Sequence, residues 1–392
     1  MANDYITFHD ALTHLVDYER ANPSAERSRF HRKAIFEAMR ELPQEHSWSY
    51  YWQLGRINTV APYDTGTVTF DYTGGEYERM LTLTDGTFPS WATYGVIIID
   101  DVYYEVAERI NGSILQLSIH SNPQADITAA TSYTLMRYRY LLPHDVWTVD
   151  QVNAENFWEL DYVHPREWLG GHRGGGGQSG TPSEYTILGS HDFQGCMDIA
   201  FNPYPGEAKT YDFMYSRRLG KVEVQDEHNG TVTVSELSRT VLGDSTRFTQ
   251  DMVGAILRTG DDARELPTGR DGANPYFAQR TVMSVQSATQ LTVDFDFTSS
   301  SSGIKYVISS PIDLEVGVMG NVFYRCCENH LAKMTRLGGA EGLVTVDQMY
   351  RASLLKAKEA DSRNTSPRGV GMSSRGRRLS DYPGYPAVSD VD

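Results

Sequence analysis

The chain has 392 residues, of which 40% are hydrophobic and 22% charged, with a formal charge of −16. That length exceeds what one hydrophobic core serves and the apolar content is too high for wholesale disorder, so about two or three packed units are expected. The acidic balance excludes a general duplex-DNA binder, which gains affinity by releasing counterions through clustered Lys and Arg. Cys196, Cys326 and Cys327 are too few for a disulfide framework and read as reduced, buried thiols. The opening MANDYITFHDALTHL has no basic region followed by an apolar run, and no stretch approaches about eighteen apolar residues. A soluble protein made in a cytosol, without membrane contact, is expected.

In chain order, residues 1–56 predict two amphipathic helices. Leu12, Leu15 and Val16 recur at helical spacing within 7–21, and Phe30, Ala34, Ile35, Ala38, Met39 and Leu42 do so within 25–42. Asn22-Pro23-Ser24 breaks the pair and supplies an N-cap, and Arg27, Arg29 and Arg32 fall on the solvated face of the second helix. Residues 57–142 switch to short alternating runs divided by Gly74-Gly75, Asp85-Gly86, Asp100-Asp101 and Asn111-Gly112, the pattern of a first antiparallel β unit. Residues 143–218 are an irregular β segment with a glycine tract at 170–177, expected to be a mobile loop.

A second β unit at 219–312 echoes the first. The first carries Gly66-Thr-Val-Thr, Trp91, Val96–Ile99, Tyr103-Tyr104-Glu-Val and Ser113-Ile-Leu-Gln-Leu. The second carries Gly230-Thr-Val-Thr, Phe248, Met252–Leu257, Tyr276-Phe-Ala-Gln-Arg-Thr-Val and Ala288-Thr-Gln-Leu-Thr-Val, with an insertion at 259–275. Helical texture returns at 313–361, over 315–336 and 345–361. Residues 362–392 form an extended basic tail, of which 362–379 carry five arginines and no acid. The fold class is therefore α+β: a helical element built from both termini, plus tandem antiparallel β-sandwich-like units.

Common catalytic signatures are missing, among them the phosphate-binding loop, the HExxH helix, the GxSxG elbow and paired cysteines at zinc-finger spacing. Asp100-Asp101 and Asp261-Asp262 read as turn residues. His164, His172, His191 and Asp192 have no spacing that defines a metal geometry, and His330 beside the cysteines reads as a packed core or interface histidine. The expectation is no enzyme, no cofactor and no metal.

Trp48-Ser-Tyr-Tyr-Trp after the first helices, the run beginning Thr65-Gly-Thr-Val, Tyr103-Tyr104-Glu-Val and Tyr138-Arg-Tyr-Leu-Leu-Pro143 together resemble the head-to-tail adaptor family of tailed bacteriophages, the neck or tail-tubular-protein-A-like proteins. Gly195 to Phe201, Pro203, Pro205 and Tyr211 to Arg217 extend the resemblance. It implies a structural virion protein, assembled in the host cytoplasm and placed in the neck between capsid and tail. There it would form a homo-oligomeric ring, a dodecamer like the portal, that meets the portal above and the tail tube or nozzle protein below. Genome DNA would pass through the lumen during ejection without specific binding, which suits an acidic wall. The basic tail would dock on the portal, with Arg375, Arg377 and Arg378 meeting acidic groups and Tyr382 and Tyr385 as apolar anchors. The alternative is a receptor- or carbohydrate-binding tail protein, since tandem β units rich in Tyr and Trp also bind sugars. A glycan hydrolase built on two carboxylates is a third reading that no spacing supports.

Overall fold

The computed structural model describes residues 5–20, 24–73, 78–154, 158–168, 179–190, 194–260, 266–267, 276–336 and 339–365. Helices take 28% and strands 40%, as an α+β chain requires. Two compact units result. One holds residues 51–219, and the other joins 1–50 to 220–392. The helical segments are α1 (Phe8–Glu19), α2 (Ala25–Glu41), the single turn α3 (Pro165–Glu167), α4 (Val316–Thr335) and α5 (Gly339–Thr365). None among the described residues is long and apolar enough to cross a membrane.

The repeat seen in the sequence is a repeat of topology. The first β unit has seven strands, Thr67–Asp71, Met80–Thr84, Gly95–Ile99, Val102–Arg109, Ile114–Leu117, Ile127–Thr131 and Tyr133–Arg137. The second has Thr231–Val234, Thr240–Asp244, Ile256–Gly260, Tyr276–Ser287, Gln290–Val293, Ser301–Ile304 and Tyr306–Ser309. In both, the strands lie in the order sixth, first, second, fifth, fourth, third, seventh. Each sheet curls into a half-barrel, and a backbone bridge ties the entry to the first strand to the seventh: Tyr63 with Leu135, and Glu227 with Ile308. A single curled sheet thus encloses each sandwich-like core.

Matching details recur inside. Gly66 and Gly230 have φ of +88° and +82°, and a Cβ on either would stand 2.2 Å from a carbonyl oxygen of the neighbouring strand, that of Thr84 or Asp244. The Tyr133 hydroxyl donates to Thr65 O at 2.9 Å and the Tyr306 hydroxyl to Asn229 O at 2.7 Å. Phe88 meets Tyr133 edge-on at 5.9 Å, and Phe248 meets Tyr306 at 5.8 Å. Phe88, and not Trp91, is therefore the counterpart of Phe248. Strand register makes the same correction further on: Ile97 faces Tyr104 and Leu257 faces Arg280, so Tyr104 corresponds to Arg280, and Tyr276 lies on an extension the first copy lacks. Residue likeness misplaced these because cross-strand pairing, which the sequence does not display, sets the correspondence.

Other boundaries move for similar reasons. Trp52–Asn58 is a strand paired with Thr210–Arg217, which also pairs with Val146–Asn153, so the last residues of the expected helical segment 1–56 belong to a sheet. That sheet and the four-stranded one made by Asp161–Tyr162, Glu184–Gly189, Met197–Asn202 and Arg139–Leu141 give order to most of 143–218. They share a core that includes Tyr140, Ile199, Phe201, Tyr211 and Phe213. Helix α5 starts six residues before the expected Thr345 and continues through Thr365, past the expected start of the tail. Cys326 and Cys327 are buried, but Cys196 is only half-buried. The glycine tract at 170–177 lies outside the described residues, as does most of the 259–275 insertion, whose first two residues belong to the strand Ile256–Gly260.

Gly66→Ala and Gly230→Ala are each expected to lower stability by about 1–3 kcal/mol, because left-handed strain adds to a backbone clash. Gly303→Ala, at φ +65° with open space around it, should cost less. Denaturant midpoints of the three variants test this ranking.

Candidate functional site

The outer face of the third and seventh strands is covered in both half-barrels, by different means. In the first copy Val96 and Met136 pack with Tyr138, Trp168, Ala200 and Tyr204 in an apolar cluster. Register places Ile256 and Ser309 of the second copy where Val96 and Met136 stand, and Arg258 where Ile98 stands. Helix α1 lies there. Thr7 caps it in a capping box with Asp10, and the Asp10 carboxylate receives Arg258 Nη1 at 2.6 and 2.7 Å. Arg258 also donates to Gln279 Oε1 at 2.9 Å and to Tyr5 O at 3.3 Å, and it stands over the Tyr276 ring. Both charged side chains are nearly sealed from water, at 2% and 3% exposure. Beside them the His9 amide donates to Ser309 Oγ, and Asp226 lies 3.2 Å from His9 and 2.9 Å from His228.

Histidine–carboxylate contacts then stitch the helices to one another. His14 meets Glu328 between α1 and α4 at 2.8 Å, with Arg325 at 2.7 Å on the other oxygen. His31 of α2 meets Glu19 of α1 at 3.0 Å, and Arg27 shares that carboxylate, so Arg27 is paired while Arg29 and Arg32 remain exposed. His46 meets Asp361 of α5 at 3.0 Å. His330 of α4 contacts Glu41 of α2 at 2.9 Å, and Tyr350 of α5 donates to the other Glu41 oxygen at 2.8 Å. Burial works to raise the Asp226 and Glu328 carboxyls, but their histidine partners, and Arg325 for Glu328, outweigh it and hold both below their ordinary values. Burial pushes the Cys326 thiol up to about 12, with Glu41 adding to the effect.

The remaining residues singled out from the sequence are dispersed. Asp100 and Asp101 have φ of 50° and 61° and form the turn between two strands, as their position suggested. His164 accepts from the Arg166 amide at the start of α3. Asp261, Asp262, His172, His191 and Asp192 lie outside the described residues, as do Arg375, Arg377, Arg378, Tyr382 and Tyr385. Sequence reasoning did not identify the Asp10–Arg258 pair. Its only trace was Thr7 and Asp10 at capping-box spacing, since nothing local links a helix cap to a strand arginine 248 residues away. In the unit of residues 51–219, a cavity of about 410 Å3 is lined by Tyr103, Tyr104, Glu105, His120 and Tyr204. Trp52, Trp147, Trp158 and Tyr162 of the same unit are exposed.

Asp10→Asn leaves the Arg258 guanidinium buried without its counter-charge and should cost about 3–5 kcal/mol, whereas the double change Asp10→Leu with Arg258→Met should cost less than either single change. Equilibrium unfolding of the set distinguishes these outcomes. Because the Asp226 and Glu328 carboxyls are depressed in the folded chain, their stabilisation is complete above the ordinary values of 3.8 and 4.5 and is lost as pH falls through the folded ones. Asp226→Asn and Glu328→Gln should therefore flatten the acid limb of the stability–pH curve, as read by thermal unfolding at a series of pH values. No protein-family model, curated protein or solved structure matches this chain.

Proposed function

We propose that this chain is a structural protein of the head-to-tail adaptor type, one subunit of a ring that joins a portal to a tail and lines part of the channel for the genome. The observation that carries the reading is the meeting of the two chain ends: α1 and α2 from the start and α4 and α5 from the end form one helical element, fixed to the second half-barrel through Asp10 and Arg258. A ring subunit needs a rigid body of this kind, because a small angular error at each heterologous contact accumulates around the circle. Helix α5 supplies a surface suited to such a contact. It buries Tyr350, Leu354 and Ala357, yet Val344, Met349 and Leu355 are 57%, 48% and 60% exposed. The excess of acids over bases across the chain fits a channel that repels phosphate. In this reading the basic tail docks on the portal through Arg375, Arg377, Arg378, Tyr382 and Tyr385, and the opposite end of the ring receives the tail tube or nozzle protein.

The exposed Trp52, Trp147, Trp158 and Tyr162, with the tyrosine-and-acid-lined cavity of the same unit, favour one second reading, a carbohydrate- or receptor-binding tail protein.

Electron-microscopic averaging of the purified protein, alone and mixed with the portal from the same source, tests the first reading. Rings, or a collar added to the portal, are expected. Val344→Glu with Leu355→Glu should leave a folded protomer that no longer closes rings, and a chain ending at Thr365 should form rings that do not join the portal. Protomers that ignore the portal but bind a glycan array would overturn the adaptor reading in favour of the second.

A further inference from the structure

We propose that Glu41, Cys326 and His330 form a binding site for one divalent transition ion of the Zn2+ class, clamping α2 to α4 inside the helical element. Cys326 and His330 are four residues apart on α4 and so present their side chains on one face, one turn apart. Glu41, at the end of α2, completes the group. The Cys326 sulfur, a His330 ring nitrogen and a Glu41 carboxylate oxygen all lie within 4.8 Å of one another. Thiolate, imidazole and carboxylate are the three protein donors that Zn2+ takes, and three such donors leave a fourth tetrahedral position for a water. Hard ions such as Mg2+ and Ca2+ prefer all-oxygen sites, so the sulfur donor selects against them.

Two details separate this cluster from the other histidine–carboxylate pairs of the helical element. The contacts of His14, His31 and His46 are hydrogen bonds. His330 Nε2, by contrast, is buried and only 2.9 Å from Glu41 Oε2, yet makes no hydrogen bond of acceptable direction. A ring nitrogen and a carboxylate oxygen this close, with no hydrogen bond between them, suit two donors that share one ion. The second detail is Tyr350, whose hydroxyl donates to Glu41 Oε1 and leaves Oε2 directed at the cluster. Metal-bound carboxylates are oriented by outer hydrogen bonds of this kind. Binding would replace the thiol proton by the metal: the Cys326 S–H bond breaks, an S–metal bond forms, and one proton passes to solvent for each ion bound. The ion would thereby also neutralise part of the charge that Glu41 brings into the helix junction.

The test uses the full-length chain, freed of metal by a chelator and titrated with Co2+ and then Zn2+. The expected result is one equivalent of Co2+ with the absorption of a tetrahedral site and a thiolate-to-cobalt charge-transfer band, displaced by Zn2+ with release of one proton. Cys326→Ser should remove the charge-transfer band. His330→Ala should weaken binding by at least about a hundredfold, and Tyr350→Phe by about ten- to a hundredfold. Cys196→Ser should change nothing, since that half-buried thiol belongs to the other unit. Zn2+ should also raise the unfolding temperature of the wild type and not that of His330→Ala, a readout that holds even if a variant is less stable. The proposal is overturned if the wild type binds no stoichiometric Co2+, if His330→Ala gives the wild-type spectrum, in which case the ion is adventitious, or if Zn2+ leaves the wild-type unfolding temperature unchanged.

Discussion

A guanidinium and a carboxylate, each at most 3% exposed, hold the start of α1 against the outer face of the second half-barrel. Desolvating two charges is expensive, and their attraction offsets that cost only where geometry and further hydrogen bonds satisfy the remaining donors and acceptors. Here they do so. Asp10 takes both Arg258 contacts and closes the capping box with Thr7, while the other Arg258 nitrogens reach Gln279 and Tyr5. Backbone bonds from Phe8 to Ser310 and from Ile312 to Ile6 continue the join on either side. The position of α1 fixes α2 and α4, which pack on it, and α5 is fixed in turn by α4. Removing either charge would leave the other buried without its partner, which loosens the join of α1 to the sheet.

The two half-barrels place one architecture in two surroundings. Their interiors share the left-handed glycine, the tyrosine hydroxyl bonded across the turn and the edge-on phenylalanine. The outer face of the third and seventh strands differs. Where the first copy meets other strands of its own unit it presents Val96, Ile98 and Met136, and where the second meets a helix N-terminus it presents Ile256, Arg258 and Ser309. An apolar face suits partners whose backbone polar groups are already paired in a sheet. A helix start has unpaired amides and a capping carboxylate, so it calls for hydroxyl and guanidinium partners. Like interiors and unlike exteriors therefore follow from the same packing rules.

The helical element is knitted by side chains that carry charge. His14, His31, His46 and His330 each reach a carboxylate on a different element, and Tyr350 joins α5 to Glu41 of α2. The apolar residues of the element stand in two places. Phe8, Leu15, Ile35 and Phe323 fill the interior, while Val344, Met349 and Leu355 of α5 stay exposed.

The sequence by itself determined the helices, the two β units and the likeness between them. Apolar spacing of 3.6 or 2 and turn residues such as Gly66 and Gly230 are local signals, read without knowing what lies across the core. It also determined the acidic balance and the basic tail, which are matters of count. Tertiary structure alone decided the pairing of Trp52–Asn58 with Thr210–Arg217, the true counterpart of Phe248 and the extension of α5 through Thr365, because strand register and helix ends answer to partners distant in the chain. The same holds for the candidate sites. Asp10 and Arg258 are separated by 248 residues, and Glu41, Cys326 and His330 come from opposite ends of the chain. No local pattern marks such groups, since what makes each a site is the low dielectric and the short distances that folding creates around it.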